Sequence, residues 1–505
     1  MTYQSVPQRS MVYFFLLGLS FFALATNVTA QTGAWLTHSH DEQHTAVSSV
    51  ASQPLAKIHW HVPVDLNPPQ GEIFIHYGSP LVTAANTVIV PVKTVTGFRV
   101  EAHNGATGKK MWTQATKYQV PSATFVPAIG PTISNNQLFV PDFAGRVIVR
   151  QTPDQTRGTA SHLVFYGKNN YAKNPTVYQQ NILINTPLTT DAAGNLYFGF
   201  VVLGPTPIGL QSGLARVAAN GTGTWVSAAS ISGDSSVTNV AMSCAPALSN
   251  DGNTLYLATT NAKAGYGYLL ALNSATLAVV NRVRLQDPSS NLDAAIFDAS
   301  SAAPTVGPDG DVYFGVIENP FPNHNDRGWL LHFNSDLSQK KIPGSFGWDD
   351  TASIVPASMV ASYQGTSSYL LMTKYNNYAG AGGDGHNRVA ILDPNATEHD
   401  PVLAATLVMK EVLTVLGVTP DPQFPNVPGA VREWCINTAA IDPGTKAVMV
   451  NSEDGSLYRW DLTTNTLSQK IQLTTGIGEA YTPTAIGSDG TVYAINGAIL
   501  NAIGK

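Results

Sequence analysis

One short unit recurs along this chain and limits what it can become. A Pro follows a small or polar residue, an apolar pair comes next, then a polar turn and a hydrophobic strand. It reads Ser79-Pro80-Leu81-Val82 with Thr87-Val88-Ile89-Val90, then Gly130-Pro131-Thr132-Ile133 with Gln137-Leu138-Phe139-Val140. Thr186-Pro187-Leu188-Thr189, Ala245-Pro246-Ala247-Leu248 and Ala303-Pro304-Thr305-Val306 continue the series. Val355-Pro356-Ala357-Ser358 and Thr482-Pro483-Thr484-Ala485 are further copies, and a weaker one without Pro begins at Ile436-Asn437-Thr438. Within several units Ala193-Gly194, Asp251-Gly252, Asp309-Gly310 and Asp489-Gly490 supply the positive φ of tight hairpin turns. A third strand follows each hairpin, as in Tyr268-Leu269-Leu270-Ala271-Leu272.

Units of three to four antiparallel strands repeating every ~45–60 residues are the pattern of a β-propeller, since no single blade can bury both its faces. The spacing predicts an all-β ring of eight blades, with seven as the alternative. The last unit stops after its third strand at Ala498 to Ile503, while a spare strand, Ala56 to Val62, opens the domain. Pairing of that N-terminal strand into the last blade would close the ring, which a sandwich of the same hairpins has no reason to do.

Ahead of the repeats, Arg9 precedes an apolar run from Met11 to Ala25, and Val28-Thr29-Ala30 precedes Gln31. That order predicts a secretory signal peptide over 1–30, cleaved near Ala30-Gln31, and a secreted or periplasmic protein. The run is too short for a spanning helix, so no membrane span is expected after cleavage. Residues 31–55, with His38, His40 and His44 beside Asp41 and Glu42, read as a flexible polar segment rather than a metal site. The propeller is expected over 56–505. Charged residues are only 12% of the chain and its net charge is −6, which excludes a nucleic-acid binder. Cys244 and Cys435, far apart, are expected as two buried thiols. A monomer is expected.

After the first unit comes Ala102-His103-Asn104-Gly105-Ala106-Thr107-Gly108-Lys109-Lys110-Met111-Trp112. It resembles the Ala-x-Asp-x-x-Thr-Gly-Lys-x-x-Trp signature of PQQ-like repeat propellers, the quinoprotein alcohol-dehydrogenase-like superfamily, with Asn104 in place of Asp. Degenerate copies include Ala271-Leu272-Asn273 with Thr276, and Trp460-Asp461-Leu462-Thr463; Trp60 falls where the last blade's signature Trp belongs. The resemblance covers about 56–505. It implies that Asn104, Thr107, Gly108, Trp112 and Trp60 are structural, and it raises a PQQ- and calcium-dependent dehydrogenase of alcohols or sugars. Such enzymes commonly carry adjacent cysteines, and some a haem motif; this chain has neither. The leading expectation is therefore a binding or scaffold protein without a confident cofactor, the dehydrogenase standing second.

Residues just before each innermost strand should converge on one mouth of the channel. They are His76, Tyr77, Asn185, Cys244, Asp298, Asp349, Asp350, Arg432, Glu433, Trp434, Glu479 and Tyr481. Carboxylates, an Arg and aromatics there suit a protein, peptide or saccharide ligand. An acid/base pair, as in a hydrolase or lyase, is the third class; no catalytic or metal residue is assigned. An insertion spans about 394–431. Within it Val402 to Leu416 is apolar enough for an outer strand or a short helix, and Asp421-Pro422-Gln423-Phe424-Pro425-Asn426-Val427-Pro428-Gly429 is expected as an extended, partner-contacting loop at the mouth. Gly380 to Gly385 fits G-x-G-x-x-G, but a strand follows, so no nucleotide site is expected.

Overall fold

The protein is described from a computed structural model covering residues 33–70, 76–119, 130–261, 265–296, 302–475 and 481–505, besides Met1. The expected signal segment and the candidates Asp298 and Glu479 lie outside the described residues.

Eight antiparallel sheets form the blades of a propeller, and only three short α-helices occur among the described residues. The innermost strands are short: Leu81–Val82, Thr132–Ser134, Thr189–Thr190, Ala247–Leu248, Thr305–Val306, Ser353–Pro356, Ala440–Asp442 and Ala485–Ile486. Their shortness follows from the geometry of a ring, which leaves little room at the axis. In the sixth blade, Thr351-Ala352-Ser353-Ile354 takes the place that the Pro motif takes elsewhere. The sequence copy at Val355-Pro356 thus lies four residues beyond the position that the motif takes in the other blades, Pro356 against Ala352.

The eighth blade is closed by the strand Lys57–Pro63, which pairs antiparallel with Ile499–Gly504 and sets Trp60 opposite Ala502. The ring is therefore joined by the two ends of one sheet. Period-2 alternation makes each blade two-faced. In Thr254–Thr260, Leu255 and Leu257 join a cluster with Tyr197 and Leu214 of the third blade, while Tyr256 and Ala258 join Phe314 and Phe333 of the fifth. Hydroxyls on innermost strands add cross-blade bonds: Thr189 Oγ1 donates to Pro246 O (2.6 Å), Thr305 Oγ1 to Ala352 O (2.8 Å) and Ser353 Oγ to Ala439 O (2.7 Å).

The signature residues hold blades to one another. Asn104 Oδ1 accepts from the Thr107 N–H (3.1 Å) and hydroxyl (2.9 Å), and the Gly108 N–H reaches Asn104 O (2.8 Å). Gly108, at φ +68°, lies so close to Trp60 that a Cβ would stand 2.6 Å from the indole ring. Trp60 donates to Gly105 O (2.7 Å), locking the last blade onto the first; Trp112 does the same to Pro153 O (2.8 Å) of the second blade. Asn273 and Asp461 keep the Asx turn in degenerate copies.

The expected flexible segment is packed instead. Residues 34–48 lie largely buried along the channel axis, with Trp35, Ser39, His44 and Ala46 fully covered. The reason is the inner edge of each innermost strand, whose N–H groups face the axis with no strand to pair them. The N–H groups of Val82, Ile133, Leu248, Val306, Ile354 and Ile441 donate in turn to the carbonyls of Trp35, Leu36, Glu42, Gln43, Thr45 and Ala46, at 2.8–3.0 Å. The third blade is met by Thr37 Oγ1 on Leu188 O (3.4 Å), and the eighth by the Gln53 N–H on Gly490 O (2.8 Å). One segment therefore touches every blade. To turn so tightly, Ser39, His40, His44 and Ala46 all take positive φ. That strain, about 1 kcal/mol each, is offset by bonds such as Ala46 N–H to Ser39 O (3.0 Å) and Thr45 N–H to Asp41 Oδ1 (2.9 Å).

In the insertion the outer strand, not the short helix, is formed. The first half of the insertion lengthens the outer hairpin of the sixth blade, Arg388–His399 with Leu407–Leu416, and leans on the fifth blade, which has three strands. Val408 is buried among Leu331 and Phe333, and the Met409 N–H donates to Pro343 O (2.8 Å). Blade five thus gains cover that a fourth strand would give. Only residues 417–431 return toward the mouth, closed on themselves by a bridge between Pro420 and Val431 and tied to the sixth blade by the Val431 N–H on Gly385 O (3.0 Å).

Two glycines separate backbone strain from steric fit. Gly252→Ala (φ +72°, nothing within 4 Å) should cost about 1 kcal/mol in urea unfolding, and Gly108→Ala about 2–3 kcal/mol, because Trp60 must also move. Equal losses would show that the Trp60 contact is not tight.

Candidate functional site

Each innermost strand runs away from the mouth and the second strand returns. Residues before the first strand and in the turn after the second therefore share one rim. The N-terminal segment crosses at the opposite end, bonded to the second residue of six innermost strands, and forms a floor. That end of the channel is therefore occupied by chain.

The rim residues meet across the axis. His76 Nε2 of the first blade stands 3.7 Å from Asp349 Oδ2 of the sixth, and its ring lies 4.8 Å from that of Tyr481 of the eighth, tilted by 46°. Burial lowers the His76 pKa, Asp349 opposing and Lys374 reinforcing the shift. Asp350 is fully buried; its Oδ2 accepts from the Thr373 hydroxyl and from the Lys374 N–H (3.1 Å). Desolvation pushes its carboxyl up to about 7, against the pull of the Lys374 ammonium.

Lys374 is the buried cation around which the rim is arranged. Its charge acts on His76, Asp326, Asp350 and Glu433, which come from blades one, five, six and seven. Asp326, at positive φ in the turn after the fifth blade's second strand, has a buried Oδ1 with no hydrogen-bond partner. Burial, with Glu318 nearby, raises it to about 7. Glu433 is raised to about 8 by burial, then by Glu453 and Asp421.

Arg432 faces that cluster from the side. Its Nη1 lies 2.9 Å from Glu453 Oε1 and 3.7 Å from Asp421 Oδ1, pinning the returning loop to the seventh blade. Donor atoms of Glu433, Cys435 and Glu453 fall within 4.8 Å of one another, though Arg432 already pairs with Glu453. Tyr378, buried beside Glu433, has its phenol held far above its ordinary range, chiefly by desolvation.

Not every expected residue faces the cavity. Trp434 turns into the core between blades, its indole donating to Asn387 O (3.2 Å). Tyr77 is buried with its hydroxyl on Asp65 Oδ2 (2.9 Å), beside the ion pair of Asp65 with Lys93 (3.0 Å). His76, Asp349, Asp350, Glu433 and Tyr481 do come together. Lys374, Asp326, Glu453 and Tyr378 were missed. The available signal was the turn after each second strand, and a lone Lys in the apolar run Tyr369 to Tyr375. Cys244 and Cys435 are buried and form no disulfide, with burial raising the Cys244 thiol to about 12.

No protein-family model matches the chain, and no curated protein matches it in sequence. Solved structures do. A europium-containing methanol dehydrogenase aligns with TM-score 0.56 at 10% identity, over 92% of this chain and 90% of the other. The quinohemoprotein alcohol dehydrogenase from Comamonas testosteroni gives 0.53 at 13%, over 94% and 77%. The quinohemoprotein alcohol dehydrogenase ADHIIG from Pseudomonas putida HK5 gives 0.50 at 12%, over 94% and 76%. The fold shared with them is an eight-bladed β-propeller. At such identities the likeness shows the fold alone.

A planar quinone needs a flat slot, and none is formed among the described residues at this rim. Trp434 is spent in the core, His76 and Tyr481 are inclined rather than parallel, and the two cysteines are apart. The carboxyls suit a hard cation in their oxygen donors alone.

The pH response of Asp350 has a fixed sign. Its folded-state value is raised, so the native state keeps a proton that the unfolded chain gives up, and stability falls as pH rises from about 4 to about 7. Asp350→Asn removes that loss. Its stability relative to wild type should improve by about 1–3 kcal/mol between pH 5 and pH 8, read from urea unfolding at both. A pH-independent difference would contradict a buried, protonated Asp350.

Proposed function

We propose that this protein is an exported binding module that takes a hydroxyl-rich, saccharide-like ligand into the mouth of its channel and releases it unchanged. The carrying observation is the set of carboxyls gathered about Lys374, Asp350 buried and Asp326 and Glu433 half-buried, each held above its ordinary range. A protonated carboxyl both donates and accepts, as a sugar hydroxyl does, so such a rim can match many hydroxyls without burying net charge. The tilted His76–Tyr481 pair offers a partly apolar wall for a sugar ring. Export rests on the apolar run from Met11 to Ala25 and the small residues before Gln31.

Melting of the chain beginning at Gln31 against a panel of neutral saccharides tests this, alongside PQQ with Ca²⁺. A rise of about 2 °C or more with at least one saccharide is expected, lost in Lys374→Met, with the sugar recovered intact. Stabilisation by PQQ and Ca²⁺ with dye-linked oxidation of an alcohol would replace this reading with the dehydrogenase. Release of sugar fragments would replace it with a hydrolase.

A further inference from the structure

The floor of the cavity carries chemistry of its own. His38 and His44 lie on the N-terminal segment with rings edge to face, centroids 5.2 Å apart, and both are buried. His44 Nδ1 is 2.7 Å from the carbonyl of Pro304, the residue before the fifth blade's innermost strand. The ring therefore rises from the floor toward the mouth.

That contact also fixes the tautomer. A carbonyl can only accept, so Nδ1 carries the proton and Nε2 presents a lone pair. Nε2 of His44 is buried with no hydrogen-bond partner, and so is Nε2 of His38. Two other buried histidines are satisfied at both nitrogens, while His103 Nε2 faces the Glu101 carboxylate at 3.2 Å. His324 uses Gly328 O (2.9 Å) and Asp400 (3.1 Å), and His332 uses Ile342 O (3.2 Å) and Asp311 (2.9 Å). Two adjacent imidazoles left open at the same nitrogen, on a loop forced through four positive-φ residues, are a different arrangement. A carbonyl behind the ring is the usual outer support of a metal-binding histidine.

We propose that His38 and His44 form the protein half of a site for a borderline divalent transition ion, such as Cu²⁺, Ni²⁺ or Zn²⁺, on the floor of the cavity. Neutral imidazole is a preferred ligand of these ions, and the remaining coordination positions would face the cavity. Asp41 is not part of the site, since its carboxylate is taken by His40 (3.0 Å) and by Thr45. The inference does not depend on what binds at the rim.

A competing pair must be removed first. His59 and His61 sit two apart on the exposed face of the closing strand. The experiment uses the chain beginning at Gln31, without an affinity tag and carrying His59→Gln and His61→Gln, titrated with Cu²⁺. One ion per chain is expected, with an electron paramagnetic resonance spectrum showing two imidazole nitrogens. His38→Gln and His44→Gln should each weaken binding at least tenfold, while His40→Gln leaves it unchanged. Absence of a stoichiometric ion, a spectrum without imidazole nitrogens, or binding untouched by His38→Gln and His44→Gln would overturn the site. The spectrum decides the matter without relying on the folding of the floor variants.

Discussion

An innermost propeller strand has one paired edge and one facing the axis, and everything else here depends on how that second edge is satisfied. A buried N–H without a partner costs ~1–3 kcal/mol, and eight such edges converge in one channel. Residues 34–48 answer six of them with backbone carbonyls taken in sequence order, while the Thr37 hydroxyl donates to Leu188 O of the third blade and the Gln53 N–H to Gly490 O of the eighth. The same stretch leads into Lys57–Pro63, which completes the last blade. One continuous piece of chain therefore fills the hub and fastens the rim.

That choice shapes the cavity above it. With one end blocked, polar side chains on the open rim are cut off from bulk water on their inner side, and desolvation becomes the largest influence on Asp326, Asp350 and Glu433. Carboxyls that would be charged on an open funnel instead hold protons near neutrality around a single buried Lys374. Arg432, by contrast, is committed to Glu453 and Asp421, so its role is to fix the returning loop.

The blades were legible because alternation along strands such as Thr254–Thr260 is written in side chains, and because Asn104, Gly108 and Trp112 occupy positions with little freedom. The closing strand was legible through Trp60, a Trp out of place unless the ring closes. The floor was not. Its bonds to the blades come from main-chain carbonyls, which any sequence provides, and Ser39, His40 and Glu42 look like a solvated tail. The outer strand of the long hairpin was legible as an alternative in the apolar stretch Val402 to Leu416. Its partner arm was not, because Pro394 and the turn residues at 400–406 suggest a loop while pairing with Leu407–Leu416 overrides them. At the rim, residues before the innermost strands were found by position, but Trp434 and Tyr77 turn into apolar surroundings that only the packed structure defines.

Hydrogen exchange resolved to single amides tests the hub most directly. In the intact chain, the amides of Ile133, Leu248, Val306, Ile354 and Ile441 should exchange as slowly as those in the middle of the second strands, because carbonyls of the N-terminal segment cover them. Exchange of these amides within seconds, while the second strands stay protected, would mean that the inner edges are open to water and that the segment does not occupy the axis.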